Sequence, residues 1–390
     1  MTKFDKQYLE LCKRILTEGV EVENRTGINT LKIPSHTFTF NLEDEFPILE
    51  SKQTAFKTAI IEMLWIWQMQ SNDVRELTKR GVHIWDEWMI DADGIYRIYE
   101  PNTSPNDYNP DKEVPLVVNC IINENNPYGE IIPMIDESGK QIMVKGRIAG
   151  KNIKYAQYFG KELAYTIGTA YGYITKRYQH TQNLINTIKN NPNDRRMVKS
   201  LWQDEFIRTA TLPSCVWSTE WDVTKNKLNL SVHQRSCDVA LGLPFNVTQY
   251  ATFLKMIAQV TDLEPGTISY SIKDAHIYVN HLKNIKEQIR RWDEYKRMNS
   301  MNKDLLNIEL ADVTKALDYT KKRFGEGSKE YKELTTHKNI IDFTKEHEKP
   351  EVVLNKEIKD FFKFDNSKNL NDIKLKKYKH LGKLHFDIAQ

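Results

Sequence analysis

Gln234-Arg235-Ser236-Cys237-Asp238, followed by Gly242-Leu243-Pro244-Phe245-Asn246, gathers a fixed cation, a hydroxyl, a carboxylate and a carboxamide downstream of a second cysteine in Leu212-Pro213-Ser214-Cys215. Arg235 and Ser236 can hold an anion, and the Asn246 carboxamide can donate and accept together to read an amide-like edge. A nucleotide suits that set of groups. Cys215 offers an intrinsically nucleophilic thiol whose ionised form a nearby Arg235 favours. Cys237, inside the polar run, reads as a small packed side chain. Upstream, residues 55–69 read as a helix apolar nearly all round with Glu62 in its middle, which implies burial. A buried, unpaired carboxylate is costly and tends to be protonated, so Glu62 needs a partner; a structural hydrogen bond is the ordinary explanation and a polar ligand or water the other.

Those groups require a frame. Residues 221–232 read as two strands joined at Lys225-Asn226-Lys227, which sets Cys215 on or just before one strand and Arg235 at the end of the next, neighbours across a sheet. Short β-branched runs at 115–121 and 130–145, around Glu137-Ser138-Gly139-Lys140, predict a hairpin. From about 284 to 348 the composition turns to charged helix formers, including Lys286 to Lys296 and Lys329 to Lys332, with a break at Gly325, Gly327 and Ser328. Two or three solvated helices are expected there, with apolar stripes too sparse to name a partner.

Composition narrows the function classes. A net charge of +3 from 56 basic and 53 acidic residues leaves no global basic field, which argues against nucleic acid as the main partner and for small anions held locally. Cysteines at 12, 120, 215 and 237 form neither a CxxC pair nor a zinc spacing with histidine, and 390 residues can build a core without disulfides. A reduced cytoplasmic protein without a metal is expected. No apolar run is long enough to span a bilayer, and Met1-Thr2-Lys3-Phe4-Asp5 lacks a signal-peptide core, so no membrane role is expected.

The stretch from Cys215 to Asn246 resembles the thymidylate synthase family, whose signature is a catalytic cysteine followed by QRSCD and GLPFN at this spacing. Arg25-Thr26-Gly27 resembles that family's amino-terminal phosphate loop, and Phe46-Pro47-Ile48-Leu49 with Lys52 the segment before its first long helix. Ile84-Trp85-Asp86-Glu87-Trp88 resembles its folate-side tryptophan motif, Asp194-Arg195-Arg196 its arginine pair, and Asp274-Ala275-His276-Ile277-Tyr278 its late DTHxY motif. The similarity covers roughly residues 1–90, 163–283 and, faintly, 349–390. It implies a single catalytic domain over 1–390 of α/β (layered α+β) class, a large mixed β-sheet flanked by helices, with insertions at 89–162 and 284–348.

By the same resemblance, Cys215 adds to C6 of dUMP, Glu62 and Tyr171 assist removal of the C5 proton, and Asn246 reads the O4/N3 edge of the ring. The related phage dCMP hydroxymethylases carry aspartate at the position of Asn246, which therefore argues for dUMP. Arg25, Arg195, Arg196, Arg235 and Ser236 fall to the phosphate, with Gln234 and Asp238 also on the substrate side and His276 and Tyr278 at the ribose hydroxyl. The arginine pair reaches the phosphate of the neighbouring subunit, which implies an obligate homodimer. The co-substrate 5,10-methylenetetrahydrofolate falls to Ile84, Trp85, Asp238, Leu241, Gly242 and Phe245, with Lys52 near its anionic glutamate tail.

Three departures bear on the outcome. Synthases read Pro-Cys-His where this chain has Ser214-Cys215-Val216, and YGxQWR where it has Tyr171-Gly172-Tyr173-Ile174-Thr175-Lys176. Their short apolar tail is here His385-Phe386-Asp387-Ile388-Ala389-Gln390. Access of water to the exocyclic methylene intermediate decides between hydroxymethylation and methylation. The leading expectation is a dUMP hydroxymethylase of the kind used by phages with 5-hydroxymethyluracil in their DNA, acting in the host cytoplasm. The alternative is a thymidylate synthase making dTMP and dihydrofolate. A non-catalytic nucleotide- or RNA-binding homologue is a third reading, opposed by the intact Cys215, Glu62, Tyr171 and Asn246 set and the near-neutral charge.

Overall fold

The computed structural model describes residues 1–24, 26–100, 103–119 and 130–388. Arg25, Cys120 and the terminal Ala389-Gln390 lie outside these residues. The chain forms two compact units, one of Met1–Ala59, Thr224–Glu357 and Asp372–Ile388, the other of Ile60–Val223 with Ile358–Asn371.

In the first unit a mixed sheet runs in the order Val20–Val22, Thr30–Asn41, Glu264–Tyr278, Lys227–Gln234. The first two junctions are antiparallel and the third is parallel. Alternation drives Leu228, Leu230, Val232 and Gln234 inward along one strand. A parallel neighbour needs a crossover, and helix Gly242–Val260 supplies it. That helix is apolar on most faces and buries Leu243, Val247, Phe253, Leu254 and Ile257. Pro34 lacks an N–H, and the ladder passes from Lys273↔Ser35 to Ala275↔Ile33 without pairing Asp274. Asp274 there takes φ +47°, a break that turns its carboxylate toward His276.

The stretch 284–348, expected to be an insertion, forms with its flanks three helices, Leu282–Asn299, Lys303–Phe324 and Lys329–Glu346. The expected break is real: Gly325 ends the second helix at φ +79°, and the Ser328 side chain caps the third by accepting from the Tyr331 N–H. Their apolar stripes do more than the expected solvated faces suggest. Met298, Leu306, Val313, Leu317, Ile340, Ile341 and Phe343 converge with Leu381 into a core of their own. Residues sparse along each helix become dense once three helices share them.

In the second unit, residues Ile60–Trp67 complete the apolar helix Phe56–Trp67. Among the described residues of 89–162, the other stretch expected to be an insertion, five strands form a sheet in the order Ile95–Tyr99, Ile153–Tyr158, Glu113–Asn119, Ile131–Pro133, with Met143–Lys145 also on Glu113–Asn119. The expected hairpin closes through the Ile135↔Gln141 bridge. Asp136 accepts from the Ser138 and Lys140 N–H groups in its turn. Its flanking strands pair with Glu113–Asn119 rather than with each other. Ile95, Tyr99, Val114, Leu116, Ile153 and Ala156 form its core. Val198–Ser200 pairs antiparallel with Val216–Thr224. As expected, strands Val216–Thr224 and Lys227–Gln234 follow Cys215 and precede Arg235, respectively. Among the described residues no helix is long and apolar enough to cross a membrane.

Candidate active site

Glu62 lies on the buried helix with 8% of its surface exposed, and the Trp85 indole N–H donates to its Oε1 at 2.5 Å. The ordinary explanation for a buried glutamate is thus met, by a residue expected on the folate side. A carboxylate accepts several bonds, so this one fixes the orientation of Glu62 without exhausting it. The Trp85 ring stands edge-on to Tyr171 at 5.6 Å and to Trp88 at 5.5 Å. Ile84 beside it is half-buried.

Tyr171 sits at φ +44°, uncommon for a residue with a side chain, at the start of helix Gly172–Arg177. A Cβ on Gly172 would fall 1.8 Å from the Ser71 carbonyl oxygen, so only glycine lets the chain pass there. This turn carries the Tyr171 hydroxyl to the Cys215 N–H, which donates to it at 2.8 Å. Cys215 itself is half-buried. Four residues from separate segments, Glu62, Trp85, Tyr171 and Cys215, therefore form one connected cluster: a nucleophile, a hydroxyl fixed at its backbone, and a carboxylate oriented through an aromatic wall.

In the other unit, Asp238 Oδ1 accepts from the Ala240 and Leu241 N–H groups at 3.0 and 3.1 Å, a turn that launches helix Gly242–Val260. Leu241, Gly242, Phe245 and Asn246 at that helix start are all half-buried. Asn246 Nδ2 donates to Gln249 Oε1 at 3.1 Å, and Gln249 Nε2 donates to the Ala59 carbonyl at 3.1 Å. Gln249 thus sets which way the Asn246 amide points. It was missed in the sequence, although a polar residue one helical turn after Asn246 was the available signal.

Gln234 is 3% exposed, its Nε2 donating to the Ser236 carbonyl and its Oε1 accepting from the Tyr270 hydroxyl. The expectation of a substrate contact is modified: with a protein partner at each end, Gln234 braces the backbone of Ser236. Arg235 and Ser236 are half-buried. His276 Nδ1 donates to the Asp274 carbonyl at 2.9 Å and lies 3.5 Å from its carboxylate, leaving Nε2 as the other polar end of the ring. Burial disfavours the His276 cation, but Asp274 and Asp238 outweigh burial and hold its pKa above the ordinary value. The Tyr278 ring meets His276 edge-on at 5.3 Å.

Lys52 departs from expectation. It is 5% exposed, donates to the Ala240 carbonyl and places its ammonium 4.2 Å from the Phe386 ring centre. Burial lowers its pKa to about 8, against the pull of Asp238 and Cys12. The side chain is turned into the protein rather than out toward an anionic tail. Arg195 and Arg196 are exposed, and the Arg196 guanidinium donates two bonds to the Asp194 carboxylate at 3.0 and 3.1 Å. Arg25 lies outside the described residues. Among the described residues no group of three or more His, Cys, Asp or Glu side chains is placed to hold a metal ion.

A family model described as thymidylate synthase matches residues 6–324. A thymidylate synthase of Clostridium beijerinckii is 37% identical over 75% of this chain and 83% of its own length. One from Bacillus phage phi3T is 30% identical with both chains covered completely. Among solved structures, the thermostable thymidylate synthase A from Bacillus subtilis superposes with a TM-score of 0.62 at 29% identity, again over 100% of both chains. The motifs, the cluster around Cys215 and these likenesses agree: the chain is a member of the thymidylate synthase family.

Proposed function

We propose that the protein is a thymidylate synthase, transferring one carbon from 5,10-methylenetetrahydrofolate to C5 of dUMP and yielding dTMP and dihydrofolate, as a single catalytic domain in a homodimer. The observation that carries this reading is the connected set Cys215, Tyr171, Trp85 and Glu62. The Cys215 thiolate adds to C6 of the ring, which makes C5 nucleophilic toward the methylene carbon. Tyr171, already hydrogen-bonded at the Cys215 backbone, and Glu62, oriented by Trp85, are the groups for removing the C5 proton. Elimination of tetrahydrofolate leaves an exocyclic methylene on the enzyme-bound ring; hydride from the same folate, which becomes dihydrofolate, completes the methyl group as the bond from C6 to the Cys215 sulfur breaks and the thiolate leaves. Asn246, with Gln249 orienting it, reads the pyrimidine edge. Arg235 and Ser236 take the phosphate, and His276 and Tyr278 the ribose. Exposed Arg195 and Arg196 are available to reach the phosphate of the partner subunit.

The relatives support synthase chemistry over the hydroxymethylase outcome expected from the altered motifs. Two of those alterations are packing positions: Val216 is 2% exposed, and Thr175 is wholly buried with its hydroxyl on the Ile66 carbonyl. Side chains committed to the interior are poor candidates for admitting water. The test is mass spectrometry of the nucleotide formed from dUMP and methylenetetrahydrofolate, alongside the absorbance rise of dihydrofolate. Equimolar dTMP and dihydrofolate are expected. A 5-hydroxymethyl product carrying oxygen from labelled water would install the hydroxymethylase instead, and no product at all would leave a binding protein.

A further inference from the structure

Tyr171 and Cys215 arrive on two segments that are already joined upstream of them. Thr169 precedes Tyr171 on one segment, and Thr209 precedes Cys215 on the other. The segments pair antiparallel through the Gly168↔Ala210 bridge, where the Thr169 N–H donates to the Thr209 carbonyl at 2.9 Å and the Thr211 N–H to the Ile167 carbonyl at 3.1 Å. Side chains add a second layer at the same place. Thr169 is 7% exposed; its hydroxyl lies 2.9 Å from the Phe206 carbonyl and 2.5 Å from the Thr209 hydroxyl, which is itself 3.3 Å from that carbonyl. The shorter bond to Phe206 takes the Thr169 proton, so Thr209 is the donor between the two hydroxyls. Farther along, the segments meet again where the Cys215 N–H donates to the Tyr171 hydroxyl at 2.8 Å. They form a loop closed by hydrogen bonds at both ends, and the register fixed at the threonines is delivered to Tyr171 and Cys215.

The turn Asp204–Thr209 that carries one threonine is held from two further sides. Asn119, at the end of strand Glu113–Asn119, donates from Nδ2 to the Arg208 carbonyl at 2.6 Å. The Phe206 ring meets Tyr173 edge-on at 5.2 Å, and Tyr173 lies in the helix that Tyr171 starts. The small sheet therefore bears on the same turn that Thr169 grips from the Tyr171 side.

We propose that Thr169 is a positioning residue: by donating to Phe206 and accepting from Thr209, its hydroxyl sets the register that holds the Tyr171 hydroxyl at the Cys215 backbone, with Asn119 bracing the turn from the small sheet. The kinetic arm of this inference rests on the synthase reading; the clasp itself does not. Thr169→Val keeps the shape and removes the hydroxyl, whereas Thr169→Ser keeps the hydroxyl. In the unliganded protein, exchange of the Cys215 amide hydrogen is expected to quicken about tenfold in Thr169→Val, the effect of one buried hydrogen bond, and to recover in Thr169→Ser. In steady-state kinetics kcat falls about tenfold in Thr169→Val while the KM for dUMP stays within about twofold, because the groups named for phosphate, ribose and ring edge lie on other segments. Tyr171→Phe separates positioning from general loosening. With the tyrosine hydroxyl already gone, adding Thr169→Val should lower kcat by no more than about twofold, whereas independent damage multiplies. Asn119→Leu, which leaves both segments intact, should quicken Cys215 exchange about threefold, and it carries the test if Thr169→Val does not fold. Unchanged Cys215 exchange in Thr169→Val and in Asn119→Leu would overturn the proposal. Equal losses in Thr169→Val and Thr169→Ser, or an undiminished loss from Thr169→Val in the Tyr171→Phe background, would do the same. Absence of turnover in the unmodified enzyme would count against the synthase reading alone, since exchange still reports on the clasp.

Discussion

Cys215, Tyr171, Trp85 and Glu62 come from four segments and are joined by hydrogen bonds and a ring edge that run between those segments. Residues Gln234 to Asn246 are built differently: Asp238 folds the chain back on itself through two N–H groups, Gln234 braces Ser236, and Gln249 orients Asn246 from the next turn of the same helix. In the first group each of these contacts spans a long stretch of chain. In the second most contacts are local and share their load. Damage to the reacting cluster should therefore pass undiminished to the chemistry, while damage to the recognition turn should be partly absorbed.

The largest effect is expected at the nucleophile. Cys215→Ser should leave turnover below about 10⁻⁴ of the unmodified enzyme while dUMP binding persists, because the recognition groups lie elsewhere. Tritium release from C5-labelled dUMP and calorimetric binding separate the two, and substantial tritium release by the serine variant would remove Cys215 from its role. Next comes Trp85→Phe, which keeps an aromatic edge for Tyr171 and deletes the indole N–H that donates to Glu62 Oε1. A hydrogen bond to a charged group is worth roughly 1.5–3 kcal/mol, so kcat/KM should fall by roughly 10- to 100-fold, mainly in kcat. A fall confined to KM would mean that Trp85 serves folate binding and not the orientation of Glu62.

The recognition turn gives the contrast. Gln249→Leu removes the acceptor for Asn246 and the donor to Ala59, yet the Asn246 amide can still turn to meet a ligand. KM for dUMP should rise roughly 3- to 10-fold with kcat little changed. If Gln249→Leu cost as much as Trp85→Phe, the distinction between long-range and local construction would fail.

That same distinction governs what the sequence disclosed. The turn from Gln234 to Asn246 was readable because its partners sit within a few residues, and the breaks at Gly325 and Ser328 were readable because capping is local chemistry. The Trp85–Glu62 bond was not, since nothing in either segment specifies the other. Lys52 was placed near a folate tail by resemblance, but its burial under Phe386 depends on the far end of the chain. Val216 and Thr175 looked like site residues because they neighbour Cys215 and Tyr171 in sequence; alternation and helix periodicity point them into the interior instead. The charged helices between 284 and 348 disclosed the break at Gly325 to Ser328 but neither their number nor their shared core, which exists only when all three stripes meet.

The smallest effect is expected among those three helices, where contacts are many and partly exposed. His337 places Nδ1 on Glu294 and Nε2 at 3.0 Å from Glu309, so one imidazolium joins the first, second and third helices. Arg290 also binds Glu294 and Arg297 binds Glu309, each at 2.7 Å. The bond to Glu294 is the main cause holding the His337 pKa above its ordinary 6.5; burial opposes it and the charges of both glutamates reinforce it. A raised pKa in the folded state means that the folded protein binds the proton more tightly than the unfolded chain does. The contribution is therefore complete below about pH 6.5 and is lost as pH rises through the folded value, while Glu294 and Glu309, both held below their ordinary 4.5, stay charged across that range. Replacing His337 with glutamine should remove this slope, with a shift of no more than about 2 °C because the cluster is screened by solvent. Calorimetric Tm at about pH 6 and about pH 8.5 decides it: the unmodified protein should lose more Tm on the alkaline step than His337→Gln, and equal losses would show that the histidine fills space between the helices without clasping them.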